Sequence, residues 1–111
     1  MMMRTLALTA LITLLGCDEA TRAVDDAARR SAKLAVSEAV ATRFPAVPKE
    51  LITPFTDCVI DNASANEIRT FARDAVIGVT EETATLVRTV IERPETQSCL
   101  LSAGANALGT A

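Results

Sequence analysis

The sequence predicts an all-α protein: a small bundle of four to five helices following an N-terminal signal helix. Three observations carry this. Ala is abundant while Gly and Pro number only four each in 111 residues, and Ala-rich sequence short of those breakers favours helix. Apolar residues recur at i, i+3, i+4 spacing in several segments, each bounded by Pro, Gly or a capping residue. No stretch alternates apolar and polar residues for long enough to make a strand, and no internal repeat is present.

The first zone runs from Met1 to Gly16. Arg4 is followed by the uncharged run Thr5 to Leu15, then by Gly16, Cys17 and the acidic pair Asp18-Glu19. A charged start, a short apolar core and a small-residue end predict a secretory signal peptide over 1–16. The run is roughly half the ~20 apolar residues that a spanning helix needs. Leu14-Leu15-Gly16-Cys17 resembles the lipobox of bacterial lipoproteins, Leu-x-Gly/Ala-Cys, and all the defining positions match. The resemblance implies cleavage between Gly16 and Cys17 and a diacylglycerol thioether on Cys17. It also implies a further acyl chain, such as palmitate, on the new amino terminus. Each buried CH₂ contributes about 0.8 kcal/mol, so two or three chains anchor stably where one does not. The plainer alternatives are an ordinary signal peptide with a chance Cys, or a buried N-terminal helix. Asp18 after that Cys resembles the signal that keeps enteric lipoproteins in the inner membrane, a rule that varies between bacteria. The expected location is the cell envelope, lipid-anchored and facing the periplasm, with inner against outer membrane left open.

Residues 17–43 read as an N-terminal helix or stalk. Ala20, Val24, Ala27, Ala28, Ser31, Ala32, Ala35, Val36, Ala39 and Val40 fall at helical spacing. That face of small residues suits either a close-packed seam or a semi-flexible stalk. Acids come early and bases late, which complements the helix dipole. Asp25–Arg29 and Asp26–Arg30 are expected i,i+4 ion pairs. The cluster Arg29-Arg30-Lys33 is then a solvated face, with contact to lipid headgroups the alternative.

A Pro-containing connector covers 44–53. Pro45 and Pro48 disfavour helix in the residues before them, and Phe44 and Val47 are expected to fold back on the core. The bundle proper covers 54–103. Thr53-Pro54 reads as an N-cap with Pro at the first helical position, and Phe55, Cys58 and Val59 share a face. Ser64-Ala65-Asn66-Glu67 fits a capping box ahead of the apolar face Ile68, Phe71, Ala72, Ala75 and Val79, and Gly78 is a natural stop. Thr80-Glu81-Glu82-Thr83 starts the next helix, with Ala84, Val87, Val90 and Ile91 as its apolar face. Pro94 starts the last, placing Cys99, Leu100 and Ala103 on one side. The small, polar residues of 104–111 make a flexible tail.

Three Cys are present. With Cys17 lipidated, Cys58 and Cys99 remain, and an even pair in an exported chain reads as one disulfide. The loop of about 40 residues that it closes is worth roughly 4 kcal/mol in the chain-entropy model. A redox pair is the alternative, although the two are not in a C-x-x-C arrangement. Such a bond would clamp the helices on either side of the 64–93 hairpin.

Function is bounded mainly by exclusion. The chain has 11 basic and 14 acidic residues and no His. A mildly acidic domain is no nucleic-acid binder on electrostatic grounds, and without His the commonest general base and metal ligand are missing. There is no phosphate loop or dinucleotide fingerprint. The polar stretch Thr56-Asp57, Asp61-Asn62, Ser64 and Asn66-Glu67 lacks EF-hand spacing and reads as turn and cap chemistry. Thr56 to Ala63, together with Arg93-Pro94-Glu95-Thr96 and Cys99-Leu100, resembles a group of small alphaproteobacterial predicted lipoproteins. That resemblance implies an anchored envelope protein and carries no activity. The expected function is binding, in an accessory, scaffolding or inhibitory role toward an envelope protein, with no catalytic residues, metal or cofactor. The alternative is a module for a small apolar ligand, lipid or quinone-like, in a cavity lined by Phe55, Phe71, Val87 and Ile91. A carboxylate-only enzyme is the third reading.

Overall fold

The computed structural model describes the backbone of residues 2–107 and the side chains of residues 21–104. It is all-α: α1 (Met2–Arg43), a 3₁₀ turn (Lys49–Leu51), α2 (Ile52–Asp61), α3 (Ala65–Ile77), α4 (Glu81–Ile91) and α5 (Pro94–Ala107). The backbone is one continuous helix from Met2 to Arg43. Gly16 is the single breaker in that span, too little to interrupt a helix among Leu, Ala and charged residues. At about 1.5 Å per residue its 42 residues reach roughly 63 Å, which accounts for the 68 Å long axis of the molecule. Among the described residues no helix is long and apolar enough to cross a membrane.

The second half of α1 is the spine of the bundle. Ala32, Ala35, Val36, Ala39 and Val40 are fully buried. Small side chains here let α3 approach closely, and α2 and α4 pack on the same stretch. Val59 and Ile60 of α2, Ile68 and Phe71 of α3, and Val87 and Val90 of α4 complete the core. The seam reading of α1 therefore holds from Ala28 onward, whereas Val24 and Ala27 are exposed. Phe44 and Val47 fold back against the core as expected. Phe44 stacks obliquely on Phe55, with ring centroids 6.3 Å apart, and the Arg88 guanidinium lies over the Phe44 ring at 5.2 Å.

Helix boundaries follow local chemistry with one correction. Thr53 is not an N-cap: the 3₁₀ turn Lys49–Leu51 already has helical backbone and runs directly into α2, whose cap position is Leu51. Extended Pro48 precedes that turn. Pro54 still lies in the first turn of α2, where its missing N–H leaves no intrahelical bond unmade. The Ser64 capping box forms as read: Glu67 N–H donates to Ser64 Oγ at 3.2 Å, and Ser64 N–H donates to Glu67 Oε1 at 2.7 Å. Gly78 ends α3 at φ 114°, a conformation that a side chain would strain. Pro94 starts α5. Of the expected tail, 104–107 are helical and 108–111 lie outside the described residues.

Candidate functional site: an anchor, a cleft and a clamp

Cross-helix pairs orient the bundle relative to Cys17. Arg29 pairs with Asp61 at 2.8 Å and Lys33 with Asp57 at 3.1 Å, and the Ser37 and Thr56 hydroxyls meet at 3.2 Å. Rising numbers on α1 meet falling numbers on α2, so these two helices are antiparallel. Arg43 reaches Glu81 at 2.7 Å, which places the α3–α4 turn beside the far end of α1. The near end, toward Cys17, thus holds the α2–α3 and α4–α5 junctions. Arg29 and Lys33 find their partners across the interface, and neither expected i,i+4 pair, Asp25–Arg29 or Asp26–Arg30, is closed. The α2 carboxylates face the same side of α1 as these two cations, whereas Asp25, Asp26 and Arg30 project into solvent.

A clamp of a different kind closes the near end. Arg93, just before α5, binds Glu67 through two hydrogen bonds of 2.8 and 2.7 Å and donates a third, of 2.8 Å, to the Asn62 carbonyl. This forked geometry is the strong form of a charge-assisted contact. The Glu67 side chain is only 15% exposed. The Arg93 guanidinium holds its carboxyl down to about 2, with the Ser64 hydrogen bonds assisting against the opposing effect of burial. No local signal marks Arg93 as its partner; the capping box alone was readable. At the far end Glu81 takes hydrogen bonds from Arg88 and Arg43, which lower its pKa. Inside the α3–α4 turn the Thr83 hydroxyl donates to buried Asp74 at 2.9 Å.

The predicted site residues fall into two groups. Cys58 and Cys99 are bonded, with Cα atoms 5.6 Å apart and a sequence separation of 41. Gly16 and Cys17 lie on the helical backbone of α1, but the Cys17 side chain, and with it the expected lipidation and cleavage, lies outside the described residues. The polar stretch considered for oxygen-ligand chemistry is engaged elsewhere: Asp57 with Lys33, Asp61 with Arg29, Glu67 with Arg93, and Asn62 Nδ2 with the Cys58 carbonyl. Among the described residues no group of three His, Cys, Asp or Glu is arranged to hold a metal ion.

Concavities mark the surface formed by the described residues. A near-end cleft of about 540 Å³ lies where α1 leaves the bundle, lined by Val24, Ala28, Ala63, Ala65 and Ile68 with Asp25, Arg29 and Arg69 at its rim. Both arginines have partners already, Arg29 on Asp61 and Arg69 on the Asn66 amide oxygen. A smaller cleft of about 90 Å³ separates Leu51, Pro54 and Phe55 from Leu100, Ala103 and Gly104 of α5. Of the four residues named for an apolar cavity, Phe55 lines the smaller cleft, whereas Phe71 and Val87 are fully buried in the shared core and Ile91 packs against it. Compared with family models, curated proteins and solved structures, the chain finds no match.

Proposed function

We propose that the chain is a lipid-anchored envelope lipoprotein whose helical domain works by binding an envelope protein, in an accessory, scaffolding or inhibitory role without catalysis. The observation that carries this reading is the bookkeeping of thiols. Cys58 and Cys99 are bonded to each other, which leaves Cys17, at the lipobox position, as the single thiol for a thioether. A disulfide also suits an oxidising compartment outside the cytosol. After cleavage at Gly16, Cys17 would head what remains of α1, with the packed domain toward Arg43. Four carboxylates of the domain, Asp57, Asp61, Glu67 and Glu81, are paired with cations, which suits a structural role for them.

The test is the intact mass of the protein from a bacterial membrane fraction, alkylated with and without prior reduction. The expected species begins at Cys17, carries acyl mass, and shows two alkylatable thiols only after reduction. An unprocessed chain with three free thiols overturns the reading.

A further inference from the structure

We propose that α5 is a disulfide-latched flap that reduction releases from an otherwise intact four-helix domain. Every residue of the buried apolar cluster, and every partly buried apolar residue packed against it, falls within 28–91, before α5 begins; the one fully buried side chain that α5 adds is Thr96. The last helix therefore lies outside the unit that the core defines. It docks chiefly on α2 and on the 3₁₀ turn before it.

That docking is weak apart from its covalent link. A cleft remains between Leu100 and Ala103 on one side and Leu51, Pro54 and Phe55 on the other. Leu101 points away from the domain, 77% exposed. Among the described residues no ion pair or side-chain hydrogen bond joins α5 to α1, α2 or α3; the Gln97 amide bonds only to the Ile91 carbonyl, across the local turn. Thr96 is fully buried, yet its hydroxyl has no hydrogen-bond partner, which opposes docking. Helices with few buried contacts open independently of the global fold; the Arg93 clamp holds only the start of this one, and beyond it Cys58–Cys99 is what keeps the helix closed.

The chemistry of release follows from unequal exposure. Cys58 is 2% exposed, while Cys99 is half-buried at the helix surface. A dithiol reductant attacks Cys99 Sγ as its thiolate, forms a mixed disulfide there, and expels the Cys58 thiolate. The reductant's second thiol then resolves the mixed disulfide. Two electrons and two protons pass to the protein, giving two Cys thiols, and the reductant leaves as its own disulfide. Release uncovers the apolar strip of Leu51, Pro54 and Phe55.

Hydrogen exchange read by mass spectrometry on the full chain in detergent micelles tests this. The samples are oxidised protein, protein reduced with dithiothreitol, and a Cys58→Ala, Cys99→Ala double variant. The expected result is at least a tenfold faster exchange over 94–107 in the last two, with 32–40, 68–75 and 83–90 still protected. Unchanged protection over 94–107 in the double variant overturns the proposal. So does loss of protection in all helices together, which would make α5 an integral part of one cooperative unit. Neither outcome depends on whether Cys17 is lipidated, because the latch involves only the other two cysteines.

Discussion

Helices α1 to α4 and helix α5 are held in place by different physics. Each of the first four contributes at least two fully or nearly fully buried apolar side chains to a shared core. Removing any one of them would expose the others. The fifth contributes none, and its sequence explains why: across Pro94–Ala107 the only large aliphatic residues are Leu100 and Leu101, and Leu101 faces solvent. One half-buried Leu offers less than the ~1.5–3 kcal/mol of full burial, while ordering each residue's backbone costs about 1–2 kcal/mol. Helical hydrogen bonds offset part of that cost, and the Cys58–Cys99 bond supplies the rest by limiting how far the segment can wander. The lesson is that a helix too poor in apolar residues to earn its place by burial can still be positioned covalently.

The contrast is broken most directly in the core. Phe71 is the largest fully buried side chain, and Phe71→Ala is expected to destabilise the whole domain by about 3–5 kcal/mol. Urea unfolding of the oxidised protein measures this, and Leu100→Ala in α5 serves as the companion, expected to cost about 1 kcal/mol or less. Equal effects at the two positions would erase the distinction between the regions.

The junction between the two regions comes next. Glu67→Ala removes the forked Arg93 contact and half of the α3 capping box, with an expected loss of about 2–3 kcal/mol at neutral pH. The same pair sets an acid limb. Glu67 titrates at about 2 in the folded protein against an ordinary 4.5, so the folded state holds this proton less readily than the unfolded chain. Its stabilisation is complete above about pH 5 and is lost as pH falls through 4.5 toward 2. Thermal unfolding between pH 2 and 6 should therefore show a slope that Glu67→Gln flattens; an unchanged slope in that variant would remove Glu67 as its source.

The smallest expected effect runs the other way. Thr96→Val removes a buried hydroxyl without a partner and keeps the branched shape, so α5 should dock more firmly by about 1 kcal/mol. The readout is slower hydrogen exchange over 94–107 in the oxidised protein. Faster exchange there would mean that the hydroxyl contributes to docking.

Much of the architecture was legible locally. The Ser64–Glu67 capping box, Gly78, Pro94 and the Cys58–Cys99 pairing all act over a few residues or by elimination, and each has the expected place. Errors arose where a distant partner competed with a local one. The i,i+4 spacing pairs Arg29 with Asp25 on its own helix, but Arg29 meets Asp61 on α2 at 2.8 Å instead. Thr53-Pro54 has the pattern of a cap, but nothing in Lys49-Glu50-Leu51 announces the 3₁₀ turn that starts the helix earlier. Arg93 carried no mark of its role, because its acceptor lies 26 residues away.

By itself the sequence determined the helical class, most helix boundaries, the thiol pairing and the lipobox on which the proposed anchor rests. These depend on backbone preference, short-range capping and the count of cysteines, none of which needs a tertiary neighbour. Only the tertiary structure decided that Phe71 and Val87 meet in one core, that Arg93 locks Glu67, and that α5 adds no apolar side chain to that core. Those outcomes depend on which helix faces meet, and a face acquires its partner only when all the helices pack at once.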